Sequence, residues 1–106
     1  MKTRVIIVDD HAEYRKVIRY RLEQASNVEV VGEASNGKDF LRKLESLKPN
    51  VAIIDLHMPL MDGAVAAKLA LKERDDLKII AMSMFGETDK INIMLNAGAK
   101  GFLLKP

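Results

Sequence analysis

The feature that most constrains this chain is an alternation of two hydrophobic patterns. Four short runs are solidly apolar: Val5-Ile6-Ile7-Val8, Val51-Ala52-Ile53-Ile54, Ile79-Ile80-Ala81-Met82 and Phe102-Leu103-Leu104. Each is too short to favour a helix, and most are rich in β-branched residues. They predict strands buried on both faces, the mark of a parallel sheet. Val28 to Ala34 differs, because Glu29 and Glu33 interrupt it; that pattern predicts an edge strand with partial exposure. Longer periodic stretches lie between the runs. Tyr14, Ile18, Leu22 and Ala25 repeat at helical spacing, and Phe40, Leu41, Leu44 and Leu47 form a second stripe that Pro49 and Asn50 end. A third helix should start near Asp62-Gly63 and carry Ala64 to Leu71. A fourth should run from about Glu87 to Ala97 with Ile91, Met94 and Leu95 facing inward, and Gly98 is a natural left-handed stop. The order β-α-β-α-β-α-β-α-β predicts an α/β fold with right-handed crossovers. Spacing alone leaves the strand order open.

Composition narrows the class. At 106 residues, 48% of them hydrophobic, the chain reads as one domain over 1–106 with enough apolar material for a core. It has no cysteine, so a disulfide framework, a thiol nucleophile and a Cys-based zinc site are excluded. No apolar run reaches the roughly 18–20 residues of a membrane span, and the first apolar run is too short for a signal peptide. The expected setting is therefore the cytoplasm, with no membrane partner. A net charge of +2 is too small to argue for nucleic acid by itself. Arg15, Lys16, Arg19 and Arg21 read as a solvated helix face.

In open parallel sheets the functional crevice lies beyond the carboxyl ends of the strands. Those ends carry Asp9-Asp10, Asp55, Ser83 and Lys105-Pro106. Three carboxylates in one crevice repel one another, so some protonate or a cation binds. A hard divalent ion with oxygen ligands fits: Mg²⁺ takes one or two carboxylates, keeps several waters and uses phosphate oxygens for the rest. With a lysine and a hydroxyl nearby, the set holds the parts phosphoryl transfer needs. Taken singly, each residue has a plainer role. Asp10 could cap the first helix, Asp55 could sit in a turn, Ser83 could line a loop and Lys105 could be solvated. His11 and His57 read as loop residues rather than metal ligands. The joint pattern decides, because four separate strand ends each present a suitable group.

Across its whole length the sequence resembles the receiver domain of bacterial response regulators. The resemblance rests on Val5-Ile6-Ile7-Val8-Asp9-Asp10-His11, on Asp55-Leu56-His57-Met58-Pro59 with Met61-Asp62-Gly63 behind it, on Ala81-Met82-Ser83-Met84, and on Asn96 to Pro106. The opening and the Gly-Phe-Leu-Leu-Lys ending look most like receivers that precede a helix-turn-helix DNA-binding domain. The resemblance implies a flavodoxin-like five-stranded parallel sheet in the order 2-1-3-4-5. It implies Asp55 as the phosphoacceptor. For Mg²⁺, with Mn²⁺ as a substitute, it implies Asp9, Asp10, Asp55 and the backbone carbonyl of His57 as ligands. Ser83 and Lys105 would contact the phosphoryl group, and Ser83 with Phe102 would form the switch. The Lys105-Pro106 bond resembles one that is cis in the family. The implied partners are a sensor histidine kinase and a C-terminal DNA-binding output domain in a longer parent protein. The chain would be no enzyme beyond its own phosphorylation and dephosphorylation. His57 and Phe85 flank the site and would tune the lifetime of the phosphorylated form.

The family has a fifth helix after the Lys-Pro step, and this chain stops at Pro106. The expectation is a chain cut from a longer protein, with apolar side chains of strands one, three and five left open beside helix one. That bare face would drive a homodimer or a swapped oligomer. Three other readings compete. A haloacid-dehalogenase-like phosphatase needs a second Asp two residues after the nucleophile, where this chain has His57. A pseudo-receiver interaction module typically lacks an acidic residue or the lysine, and here all are kept. A flavodoxin-like nucleotide binder needs a phosphate loop after strand one, where Asp9-Asp10 would repel phosphate.

Overall fold

The computed structural model describes residues 2–58, 61–84 and 86–105. Nine elements follow one another: β1 (Thr3–Val8), α1 (Ala12–Glu23), β2 (Val28–Ala34), α2 (Gly37–Leu47), β3 (Val51–Asp55), α3 (Gly63–Glu73), β4 (Lys78–Ser83), α4 (Thr88–Asn96) and β5 (Gly101–Leu104). All strands pair in parallel in the order β2-β1-β3-β4-β5. The five parallel strands and four helices are the flavodoxin-like arrangement the resemblance implied, with β2 at one edge.

Local chemistry explains the boundaries. Asn36 and Asp62 cap α2 and α3 by accepting from the backbone N–H groups of Asp39 and Val65. Lys48 ends α2 in the left-handed region at φ 48°, one residue before Pro49. α4 ends in a Schellman motif, with Ala99 N–H donating to Met94 O at 3.0 Å and Gly98 N–H to Leu95 O at 3.1 Å. Gly98 supplies the positive φ of 117° that this closure requires.

Strand alternation builds two cores. Ile6, Val8, Ile54 and Ala81 join Phe40 and Leu44 of α2, Ala66, Ala67 and Ala70 of α3, and Met94 of α4. Val5, Ile7, Ile53 and Met82 join Ile18 of α1 on the opposite face. The central strands are therefore buried on both faces, as their solid patterns predicted.

Three expectations need correction. Strands one and three are not open beside α1: Val5, Ile7 and Ile53 are at most 4% exposed, because α1 lays Ile18 and Leu22 against them. β5 is not buried on both faces, because it is a sheet edge. Phe102 and Leu104 are half-exposed and alternate with Leu103, which packs on the α1-side core. The basic face of α1 is not simply solvated either. Arg15 Nε and Arg19 Nη1 pair with Glu33 of β2 at 2.8 and 2.7 Å, which explains a glutamate in the edge strand. The cis bond expected at Lys105-Pro106 and the part given to Phe85 lie outside the described residues.

Candidate functional site

Register brings the strand ends level. Val8 pairs with Ile54, Asp55 with Met82, and Ser83 with Leu104. Asp9 and Lys105 therefore emerge beside Asp55 and Ser83. Backbone hydrogen bonds hold the rim: Asp9 N–H donates to Ala34 O, Leu56 N–H to Met82 O and Lys105 N–H to Ser83 O, at 2.8–3.1 Å.

The structure brings together five of the sequence-nominated residues. Asp9, Asp55 and Ser83 are at most 1% exposed, although all three are polar. Lys105 Nζ donates to Asp55 Oδ2 at 3.0 Å and lies 3.2 Å from Asp9 Oδ2. Asp10 stands at the solvent side of the group, and one ligand atom each of Asp9, Asp10, His11 and Asp55 lies within 4.8 Å of the others. Asp10 does not cap α1; His11 holds the N-cap position, without a side-chain cap bond. A cleft lined by Asp10, His11, Leu56, His57, Met58 and Asp62 opens beside the cluster.

Burial pushes the Asp55 carboxyl above its ordinary range; the Lys105 hydrogen bond opposes this, and the neighbouring Asp9 charge adds to it. Burial alone would lower Lys105, but the hydrogen bond and charge of Asp55, with Asp9 behind it, hold its ammonium above the usual value. Among the described residues, Asp9 Oδ2 and Ser83 Oγ are buried without a hydrogen-bond partner. Asp9 Oδ2 nonetheless faces the Lys105 ammonium at 3.2 Å, so Ser83 Oγ is the buried polar atom of this rim that nothing among the described residues meets, a state buried polar atoms are rarely left in. The donor set is carboxylate oxygen with one lysine beside it, which suits a hard divalent cation.

Two nominated residues lie at the margin. The His57 backbone lies near the Asp55 carboxyl and slightly favours its ionised form, while its imidazole turns to Glu87 and Lys90 at the start of α4. Glu87 also accepts from Met84 N–H at 2.6 Å, and with His57 as its leading partner its carboxyl sits below the usual range. Phe102 stands 53% exposed on β5, turned out of the core.

Sequence reasoning missed several neighbours. Tyr14 lies under Lys105, with Nζ 4.6 Å from the ring centroid. Arg15 donates to the Asp9 carbonyl at 2.6 Å. His11 joins the carboxylates. The adjacency Asp9-Asp10-His11 was a usable signal for His11, whereas nothing in the pattern marked Tyr14 beyond its place on the inner stripe.

The strand order and the acidic, lysine-bridged rim define a doubly wound α/β protein with its site at the carboxyl edge of the sheet. Residues 5–106 match the family described as the response regulator receiver domain, and the chain belongs to it. It is 39% identical to the chemotaxis protein CheY of Thermotoga maritima over 106 residues, covering all of this chain and 88% of that one. It is 40% identical to the transcriptional regulatory protein LiaR of Bacillus subtilis over 96% of this chain but only 48% of LiaR, so it spans about half of such relatives. Among solved structures, the signal receiver domain of the putative response regulator NarL from Mycobacterium tuberculosis superposes with a TM-score of 0.87. The two are 36% identical over 97% of this chain and 83% of that one. Transcription regulators thus stand among the relatives. No helix among the described residues is long and apolar enough to cross a membrane.

Proposed function

We propose that this receiver accepts a phosphoryl group on Asp55 from a phosphohistidine of a sensor kinase, or from a small phosphodonor, and signals through the rearrangement that follows. The observation that carries this reading is the buried Asp55 carboxylate held by Lys105, with a Ser83 hydroxyl at the same rim that has no hydrogen-bond partner among the described residues. An Asp55 carboxylate oxygen attacks phosphorus in line, and the bond from phosphorus to the donor's nitrogen or oxygen breaks as the new P–O bond forms. Lys105 offsets charge on the transferring oxygens, and Ser83 donates to one of them. Asp9, Asp10 and Asp55, with the His57 carbonyl, would hold Mg²⁺ or Mn²⁺, which when bound supplies further charge neutralisation. Hydrolysis of the aspartyl phosphate returns the resting state. Outward Phe102 fits that resting state, and its inward turn with Ser83 would bias a two-state equilibrium. In a parent protein the output would be a DNA-binding domain, as suits the transcription regulators among the relatives. The cytoplasm is the compartment in which these partners would meet it.

The test is incubation with acetyl phosphate and Mg²⁺, followed by intact mass. A phosphate-sized gain is expected that vanishes with EDTA and in Asp55→Asn. Undiminished labelling of Asp55→Asn would sink the assignment, and no labelling of the wild-type protein would favour a pseudo-receiver.

A further inference from the structure

Tyr14 has no part in the reading above, yet its ring lies against the lysine on which that reading depends. Lys105 Nζ stands 4.6 Å from the ring centroid, inside the roughly 6 Å at which an ammonium is drawn to an aromatic face. The lysine side chain is only 4% exposed, so little water screens that attraction, and the contact belongs to the stronger, desolvated kind. Two carboxylates share the same ammonium, Asp55 Oδ2 at 3.0 Å and Asp9 Oδ2 at 3.2 Å.

The ring is itself held in place. Tyr14 lies in the first turn of α1, four residues before Ile18, which packs on the sheet. Its neighbour Arg15 pins this turn to the strand end, donating to the Asp9 carbonyl at 2.6 Å and pairing with Glu33 at 2.8 Å. The His11 imidazole meets the ring edge-on, with centroids 5.6 Å apart and planes at 88°. Lys105 has less support of its own. It follows β5, the sheet edge on which Phe102 and Leu104 are half-exposed, so its flexible stem depends on contacts at its tip.

The three contacts at the tip respond differently to the proposed chemistry. A divalent ion on Asp9 and Asp55 would compete with the ammonium for carboxylate oxygens. Phosphorylation would move the Asp55 charge outward onto the phosphoryl oxygens. The Tyr14 face is uncharged, and neither event contests it. We propose that Tyr14 is a positioning residue whose aromatic face keeps the Lys105 ammonium within reach of the phosphoryl oxygens while the carboxylates turn to the ion and the transferring group. The inference rests on the reading that Asp55 accepts the phosphoryl group.

The test replaces Tyr14 by leucine, by phenylalanine and by a series of progressively ring-fluorinated phenylalanines, which keep nearly the same shape while draining electron density from the ring face. Labelling by acetyl phosphate with Mg²⁺ should slow about tenfold in Tyr14→Leu, recover to within about twofold of wild type in Tyr14→Phe, and fall step by step as fluorines are added. A purely steric role would leave that series flat. A second readout needs neither phosphodonor nor metal. In nuclear magnetic resonance, the ring current should shift the Lys105 ε-methylene protons upfield in the wild-type protein, and the shift should vanish in Tyr14→Leu. A flat fluorination series in a protein that labels, or no ring-current shift at Lys105, would overturn the proposal. Failure of the underlying reading looks different: the wild-type protein would not label, or Asp55→Asn would label undiminished, with the ring-current shift still present, and the positioning role would fall with the site.

Discussion

Replacing Gly63 by alanine probes how the helix after β3 positions Asp55. A Cβ at Gly63 would stand 2.5 Å from the backbone oxygen of Asp55 and 3.4 Å from Ile54 Cγ2. A carbon resting on a carbonyl oxygen needs about 3.3 Å, so the start of α3 must retreat by roughly 0.8 Å or β3 must yield. Neither side can evade by a rotamer change, because the oxygen belongs to the backbone of a buried strand. Overpacking of this kind typically costs about 1–3 kcal/mol. The strain falls on Asp55, the proposed phosphoacceptor, where misplacement by about 1 Å can lower a rate by 10²-fold. The expected result is a loss of about 2 kcal/mol in urea unfolding and at least about a tenfold slower labelling by acetyl phosphate. Gly101→Ala is the control, since its Cβ would meet nothing within 4 Å and it is not among the positive-φ glycines. If Gly63→Ala unfolds within about 0.5 kcal/mol of wild type and labels at the same rate, the steric reasoning is wrong.

Three further outcomes follow from the charges. Lys105→Met leaves Asp9 and Asp55 buried without their cation and should lose about 3 kcal/mol at pH 8. The Lys105 ammonium is held above its ordinary 10.5, so its contribution is present below that value and fades as pH climbs past the raised one. Alkaline melts should therefore show a loss in wild type that the variant lacks. Asp55 is held above its ordinary 3.8, chiefly by burial, so its ionised form opposes folding and native stability falls as pH rises through the raised value. Asp55→Asn should then melt higher than wild type at neutral pH without divalent ions, by about 1 kcal/mol, with the gain shrinking in acid. Glu33 is held below its ordinary 4.5, because Arg19 and Arg15 outweigh the opposing effect of burial. Its contribution is present above that value and lost as pH falls through the depressed one. Glu33→Gln should cost about 1 kcal/mol at pH 7 and nothing once wild-type Glu33 is protonated, as thermal melts across that range would show.

The fold was legible because two physical periods separate cleanly in this chain. Runs such as Val5 to Val8 have no polar residue to turn outward, so only a strand covered on both faces accommodates them, and strict alternation with helical stripes then leaves a parallel sheet. The main site residues were legible for a derived reason: once strands are parallel, residues that follow them share an edge. What escaped were contacts between elements whose relative height the sequence does not encode. Arg15, Arg19 and Glu33 are ordinary surface residues until α1 crosses β2 and brings them to 2.7–2.8 Å. Glu87 reads as a helix-start carboxylate until the loop after β3 delivers His57 to it. The exposure of β5 escaped because Phe102-Leu103-Leu104 is as apolar as a central strand, and only sheet order reveals it as an edge.

The Ser83 hydroxyl, without a hydrogen-bond partner among the described residues, bears on how the proposed switch could be built at small energetic cost. Lys105 already serves two carboxylates, at 3.0 and 3.2 Å, so it cannot by itself meet a phosphoryl group that brings roughly −1.5 to −2 charges. On that reading a second donor is needed, and among the described residues the Ser83 hydroxyl has no hydrogen bond to give up on turning toward the new oxygens. Any movement of its backbone is passed directly to β5, because Lys105 N–H is bonded to Ser83 O at 2.8 Å and Ser83 pairs with Leu104. β5 is also the strand with least to lose by shifting, since Phe102 and Leu104 are half-exposed while the strands it leans on are buried. On the proposed reading, the signal would therefore leave through β5, the element where the ligand-hungry rim and the most weakly packed strand meet.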